Sequence, residues 1–333
     1  MKRVASTTDV HVFNSRPDPL FCQSPPRCDF NDEDGYIRRE FDRLSNKEKE
    51  KVMKDMYGIE DPIEETATLV RDSLDEMDTI LQSFISKKGS LQLARDRFPS
   101  FFEDEAFRLR FLRVDSFNAK QACNRFIRHI EKKMELFGPD LLGDKITLAS
   151  LSEEDMDFMR SGGIQVLQAK DRGGRHVMFS SHRNWKYKDV KNVLRCMWYL
   201  LMVLVDESGP NICDTVEISY NLGQFCTRAF DRTALKCAFD LHKAVPSRLV
   251  GYHYCFDDVR FRMVWGVITV FLGKKARMRA RDHEGTHVEC RYGLMSYGIP
   301  VDALSVMVDG FEDNSMFLKW LEERQCTEAR AAD

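Results

Sequence analysis

Apolar residues at Ala67, Val70, Leu74, Met77, Leu81 and Phe84 recur at steps of three and four. That spacing lays them along one face of a helix. Asp61-Pro62 opens this predicted helix and Gly89 ends it, since proline suits a first turn and glycine a C-terminal cap. The stripe lasts under three heptads, so it predicts a packed bundle face and not a coiled coil. Upstream, Ser45 followed by Glu48 forms a capping-box pattern that starts a short helix through Met56, stopped at Gly58. Downstream, Asp104 caps a helix to Val114 with Phe107, Phe111 and Leu112 inward. Asn118 caps another, through Ala122, Phe126, Ile130 and Met134 to the Gly138-Pro139 stop. Residues 41–150 therefore predict an all-helical region. Residues 1–40 carry Pro17, Pro19, Pro25 and Pro26 without periodicity and are expected to be a disordered or loosely attached arm.

After Ser152 the period changes. Ile164 to Ala169 reads as a strand, Asp171-Arg172-Gly173-Gly174 as a turn, and Arg175 to Ser180 as the antiparallel return. Helical and strand-like runs then alternate. Asp189–Val205, Gln224–Ala244 and Val259–Leu272 read as helices. Thr215–Tyr220, Leu249–Cys255 and Lys275–Arg281 read as strands. Such alternation implies βαβ units and a largely parallel sheet. A last helix runs from Asp313 to Arg324, and residues 313–333 form a C-terminal helix and tail.

The chain is organised around 246–285. Between Val259 and Leu272, Phe261, Met263, Val264, Trp265, Val267, Ile268, Val270, Phe271 and Leu272 cover most of a helix circumference. A helix apolar on every face is buried or meets lipid. At roughly 18 Å this one is too short to span a bilayer. It reads either as a core helix or as a movable lid over an apolar cavity. The basic run after it (Lys274, Lys275, Arg277, Arg279, Arg281) would point four cations to one side of a strand. Such a row can engage anionic head groups, or simply guard an edge strand against aggregation.

Charge and composition narrow the functions. Lys plus Arg number 50 against 53 Asp plus Glu, a net charge of −3, which gives no general pull toward nucleic acid. Ten cysteines are scattered without a C-x-x-C, the pattern of free thiols in a reducing compartment. No signal-peptide core or membrane-spanning run occurs, so a soluble cytoplasmic protein is expected. Gly173-Gly174 lies between two strands and is read as a hairpin turn, not a phosphate loop. His283 and His287 lack the H-E-x-x-H order and are separated by Gly285, so no metal is assigned. There is no G-x-S-x-G, and the acidic clusters Glu153-Glu154-Asp155 and Asp257-Asp258 suit helix starts. No catalytic residues and no cofactor are assigned, and an enzyme is not expected.

Several stretches resemble the CRAL-TRIO lipid-binding family, over roughly 103–310. Phe107-Arg108-Leu109-Arg110-Phe111-Leu112-Arg113 and Phe117 to Ala122 look like its helical N-terminal signature. Asp171 to Val177 is similar to its "D..GRpV" hairpin, and Val245-Pro246-Ser247-Arg248-Leu249 to its "yPeRl" step. Phe271-Leu272 with Lys275 and Arg279 resembles a passage in which some members place cations for phosphoinositides. In the central strand, where the family usually has an aspartate, this chain reads Ser219-Tyr220-Asn221.

The resemblance implies a lipid-binding domain over 151–312. It would have a mainly parallel sheet flooring an apolar cavity and a gate helix above it. Trp198, Leu201, Tyr220, Phe225, Phe256, Phe261, Val264, Trp265 and Ile268 are the expected liners. Lys275, Arg277 and Arg279 are the expected head-group and membrane contacts. The protein would then bind a phospholipid or phosphoinositide, sterol or isoprenoid and exchange or present it at an anionic membrane through the mobile gate. The alternative is a protein-interaction module on the same fold, its cavity filled by the chain's own side chains.

Overall fold

The computed structural model describes residues 39–57, 63–181, 189–223 and 232–332. Helix α1 is Asn46–Tyr57, preceded by a helical turn over 39–42. The next helices are α2 (Ala67–Ile85), α3 (Gly89–Arg97), a one-turn helix Pro99–Phe102, α4 (Glu105–Val114) and α5 (Ala119–Phe137). The amphipathic stripe of α2 is buried as its spacing requires. Leu74, Met77 and Leu81 pack against Phe111 of α4 and Phe126 and Ile130 of α5. The caps at Asp104 and Asn118 are in place, each side chain accepting from the backbone N–H three residues on.

Two boundaries depart from expectation. Helix α2 begins after Thr66, whose hydroxyl accepts from Leu69 N at 3.1 Å, with 63–66 non-helical and the expected start at Asp61-Pro62 outside the described residues. A side chain that satisfies an orphan N–H fixes a helix start more firmly than a proline that merely tolerates one. Gly89 opens α3 instead of only closing α2, which ends at Ile85.

The second region holds α6 (Glu153–Arg160), β1 (Ile164–Val166), β2 (His176–Ser181), α7 (Val190–Glu207) and β3 (Cys213–Asn221). It continues with α8 (Arg232–His242), β4 (Ser247–Phe256), α9 (Phe261–Arg277), β5 (Ala280–Glu284), α10 (His287–Ser296) and α11 (Ser315–Ala332). The five strands lie in sequence order. β1 and β2 are antiparallel and the other pairs parallel, as the hairpin and the βαβ alternation predict. The hairpin turn is held by Asp171, which accepts from Gly173 N and Arg175 N at 2.9 Å each and from Arg175 Nε at 2.7 Å. Gly174 sits at φ 74°, a left-handed backbone that suits glycine. The predicted helix over 224–244 is described from Arg232, and the arm at 1–38 lies outside the described residues.

Alternation along each strand sends successive side chains to opposite faces. One face carries Val177, Phe179, Val216, Ile218, Tyr220 and Cys255 toward α10 and the segment after it. The other carries Met178 toward α7 and Tyr252, Tyr254 and Phe256 toward α8 and α9. Helix α11 docks beside α7 through Phe317 and Leu321.

The helical region is keyed to the sheet region by polar side chains at the 242–245 turn. Arg125, bidentate to Asp115 at 2.9 and 3.1 Å, donates to the carbonyls of His242 and Val245 at 2.8 and 3.2 Å. His129 Nδ1 lies 3.1 Å from Ala244 O. A helix C-terminus needs such donors for its unpaired carbonyls.

Candidate functional site

Helix α9 fixes the site. Its inner side presents Phe261, Trp265, Ile268 and Leu272, all buried, at the spacing of one helix face. They meet Tyr252, Tyr254 and Phe256, which share a side of β4, and Phe239 of α8. Trp265 lies nearly parallel to Tyr254 at 5.8 Å and to Tyr252 at 6.4 Å between ring centroids, the offset geometry that aromatic quadrupoles favour. Phe261 stands edge-on to Tyr254 at 6.2 Å. Five of the expected liners (Phe256, Phe261, Val264, Trp265 and Ile268) thus come together in one cluster. Phe225 lies outside the described residues.

Three expected liners go elsewhere. Tyr220 has the parity of Ile218 and pairs in register with Cys255. It therefore points to the opposite sheet face, where its hydroxyl is 3.0 Å from His287 Nδ1. Trp198 and Leu201 of α7 are buried in the core below that helix. The Trp198 ring meets His129 of α5 in a tilted contact, 4.6 Å between ring centroids, and so bridges the helical region to the sheet region. Hydrophobicity marked these three as buried, but only register and helix rotation decide which layer they enter.

Tyr252, Tyr254 and Phe239 belong to the cluster and were missed. The signal was available: Tyr252 and Tyr254 have the same strand parity as Phe256. Burial pushes both phenols up from their ordinary pKa, so they remain neutral.

Beside this aromatic wall the same sheet face turns polar. Ser180, Ser219 and Tyr254 are paired in register across β2, β3 and β4, and Glu217 lies next to Tyr252. Ser219 and Asn221 are buried, and Asn221 Nδ2 donates to Ser219 Oγ at 3.0 Å. Glu217 is held by His242 Nε2 at 2.6 Å. Polar groups over β3 and rings under α9 give the face two halves of opposite character.

The outer side of α9 is also apolar. Val259 just before the helix, and Met263 and Val270 on it, are 65, 58 and 65 % exposed and fall on one helical stripe. Arg260 and Arg262 flank it, paired to Asp258 and Glu284.

The basic run is built differently from its expected form. Helix α9 continues to Arg277, and β5 begins only at Ala280. Lys275 is therefore helical, Arg279 lies in the connection, and the cations do not share a strand face. A helix already running has no reason to stop at Gly273, because each added residue closes another backbone hydrogen bond. The Lys275 side chain lies outside the described residues. Arg277 lies 3.5 Å from Glu40, and Arg279 Nε donates to Asp55 at 2.8 Å.

A cavity of about 900 Å³ opens at the start of β4, lined among others by Val52, Asp55, Phe239, His242, Leu272 and Arg279. Arg279 is shared with the expected site, whereas the expected apolar liners are absent from its wall. Among the described residues no three His, Cys, Asp or Glu side chains converge as metal ligands. No described helix is long and apolar enough to cross a membrane.

No family model matches the chain. A search of curated proteins finds Clavesin-1 of Xenopus laevis, a CRAL-TRIO protein, 23 % identical over an alignment of 229 residues that covers 65 % of this chain. The chain thus spans 65 % of that relative's length. Among solved structures, a crystal structure of Sfh5 superposes with a TM-score of 0.43 at 14 % identity, over 66 % of this chain and 82 % of the other.

Proposed function

Starting from a chain related to the CRAL-TRIO proteins, we propose that it binds an amphiphilic lipid and hands it to or takes it from a membrane, with α9 as the gate. It acts as a binder and not as an enzyme. The observation that carries the reading is that α9 is apolar on two sides, one over the sheet and one in solvent. The inner side is buried on the aromatic wall of β4. The outer stripe of Val259, Met263 and Val270 is more than half exposed to solvent. Burying a side chain of this kind fully yields about 1.5–3 kcal/mol, so a lipid surface offers the stripe a stabilisation that the closed protein lacks. Swinging away from β4, the inner side would exchange the rings beneath it for acyl chains. The polar groups Ser180, Ser219 and Asn221 on the adjoining floor suit the polar end of an amphiphile.

The test is organic extraction and mass spectrometry of the purified full chain, followed by lipid uptake from vesicles. A stoichiometric lipid supports the reading and names its class. A ligand-free protein that takes up nothing refutes it.

A second reading has its own observation. The rings of Tyr252, Tyr254, Phe256, Phe261 and Trp265 fill the contact between α9 and β4, and another apolar patch lies on the opposite side of the sheet. There Val288, Tyr292 and Met295 share one face of α10 and are 46, 68 and 52 % exposed. A protein-interaction module would use that patch. Loss of lipid uptake in Met263→Glu with no effect of Tyr292→Glu would decide for lipid exchange.

A further inference from the structure

The cations at the end of α9 are already gripped from within the chain. Glu40, in the helical turn before α1, lies 3.5 Å from Arg277, and these side chains are 14 and 13 % exposed. Asp55 on α1 accepts from Arg279, with side chains 10 and 12 % exposed. Arg175 of the β1–β2 hairpin donates to the carbonyls of Asp55 and Met56 at the end of α1. Val52 and Met56 bury themselves on Met278 between the two arginines, and Tyr57 stacks on Tyr297 at 5.7 Å.

We infer that α1 and the turn before it are an autoinhibitory latch. Glu40 and Asp55 occupy Arg277 and Arg279 in place of the anionic head groups of a membrane, and they tie down the C-terminal end of the gate helix. The chemistry is a substitution. A guanidinium presents the same fork of N–H donors to a carboxylate and to a phosphate, so one anion excludes the other. The latch also forms part of the wall of the 900 Å³ cavity through Leu44, Val52 and Asp55. Its release therefore frees two cations and opens that cavity at once. The latch is held by two ion pairs together with the apolar contacts of Val52 and Met56 and the Tyr57–Tyr297 stack.

This inference rests on the membrane reading proposed above, and the experiment separates the two. Full-length protein is sedimented with phosphatidylcholine vesicles with and without phosphatidylserine. Asp55→Asn and Glu40→Gln are expected to raise binding to the anionic vesicles about fivefold for each arginine released, with no gain on phosphatidylcholine alone. Asp55→Asn combined with Arg279→Gln should fall back to the wild-type level. Glu50→Gln, which alters net charge equally on an α1 residue that among the described residues pairs with Lys54 at 3.0 Å, should change nothing. Hydrogen exchange in solution should speed up over 46–57 and 276–281 in Asp55→Asn. Wild-type binding that Met263→Glu abolishes but Asp55→Asn leaves unchanged overturns the latch and spares the membrane reading. A protein that binds neither vesicle in any variant overturns both.

Discussion

Asp55 and Arg279, 224 residues apart in the chain, meet in an ion pair almost withdrawn from water. The pair joins α1 to the connection that follows α9. It turns a cation that the sequence presents as a membrane contact into an internal tie. A guanidinium in such a place is stable only with its carboxylate, because an unpaired buried charge is costly. The functions assigned to α9 must therefore be tested together with the groups that hold its ends.

The outer stripe of α9 separates binding from stability. Met263→Glu and Val270→Glu replace exposed side chains, and surface changes of this kind stay within about 0.5 kcal/mol of wild type. Their unfolding midpoints in urea should match the parent, while vesicle binding falls at least about tenfold, given insertion costs above about 1.4 kcal/mol per buried charge.

The inner side should behave in the opposite way. Trp265 is buried between Tyr252 and Tyr254, so Trp265→Ala is expected to cost about 3–5 kcal/mol. Equilibrium denaturation measures this directly. A loss below about 1 kcal/mol would mean that α9 leaves the sheet readily in the resting protein.

Removing the Asp171 carboxylate strands a buried cation. Its side chain is fully buried and that of Arg175 is 8 % exposed, so Asp171→Ala should cost about 3–5 kcal/mol. Because Arg175 also donates to the end of α1, hydrogen exchange should quicken over 46–57 in the same variant.

Acid should destabilise the fold through its buried histidines. Burial, with Lys133 nearby, lowers His129 to about 3. Burial, with Arg281 nearby, lowers His283 to about 4. Both are neutral in the folded chain, whereas the unfolded chain takes up protons below about 6.5. Stability is therefore complete above about pH 6.5. It falls as pH drops toward 4, by about 1.4 kcal/mol per pH unit for each group. His129→Phe keeps the ring contacts with Phe107, Phe111 and Trp198 but cannot be protonated. Its stability, measured by urea unfolding from about pH 7 to 4, should decline less steeply than that of wild type.

Much of this architecture was legible in the chain. The α2 stripe, the caps at Asp104 and Asn118, the Asp171–Arg175 turn and the alternation after Ser152 all rest on local rules. Period, capping and turn chemistry act within a few residues, and the structure obeys them. The missed elements fail for local reasons too. Helix α10 carries exposed Val288, Tyr292 and Met295 on one face and buried Cys290 and Leu294 on another, so hydrophobicity gave it no clear stripe. β5 was placed too early because alternating Lys and Arg after Leu272 mimic a strand while the α9 hydrogen-bond ladder runs on to Arg277.

The sequence by itself determined that 259–272 forms a helix apolar on most faces, which must be buried or meet lipid, because the side chains and their spacing are local properties. Only the tertiary structure decided that Tyr220 turns away from that helix and that Trp198 leaves it for His129. It alone brought Arg277 and Arg279 to Glu40 and Asp55. Strand register, helix rotation and long-range ion pairing depend on which surfaces meet in space. No rule acting over a few residues can choose between two faces that are equally apolar, or between two anions equally able to hold an arginine.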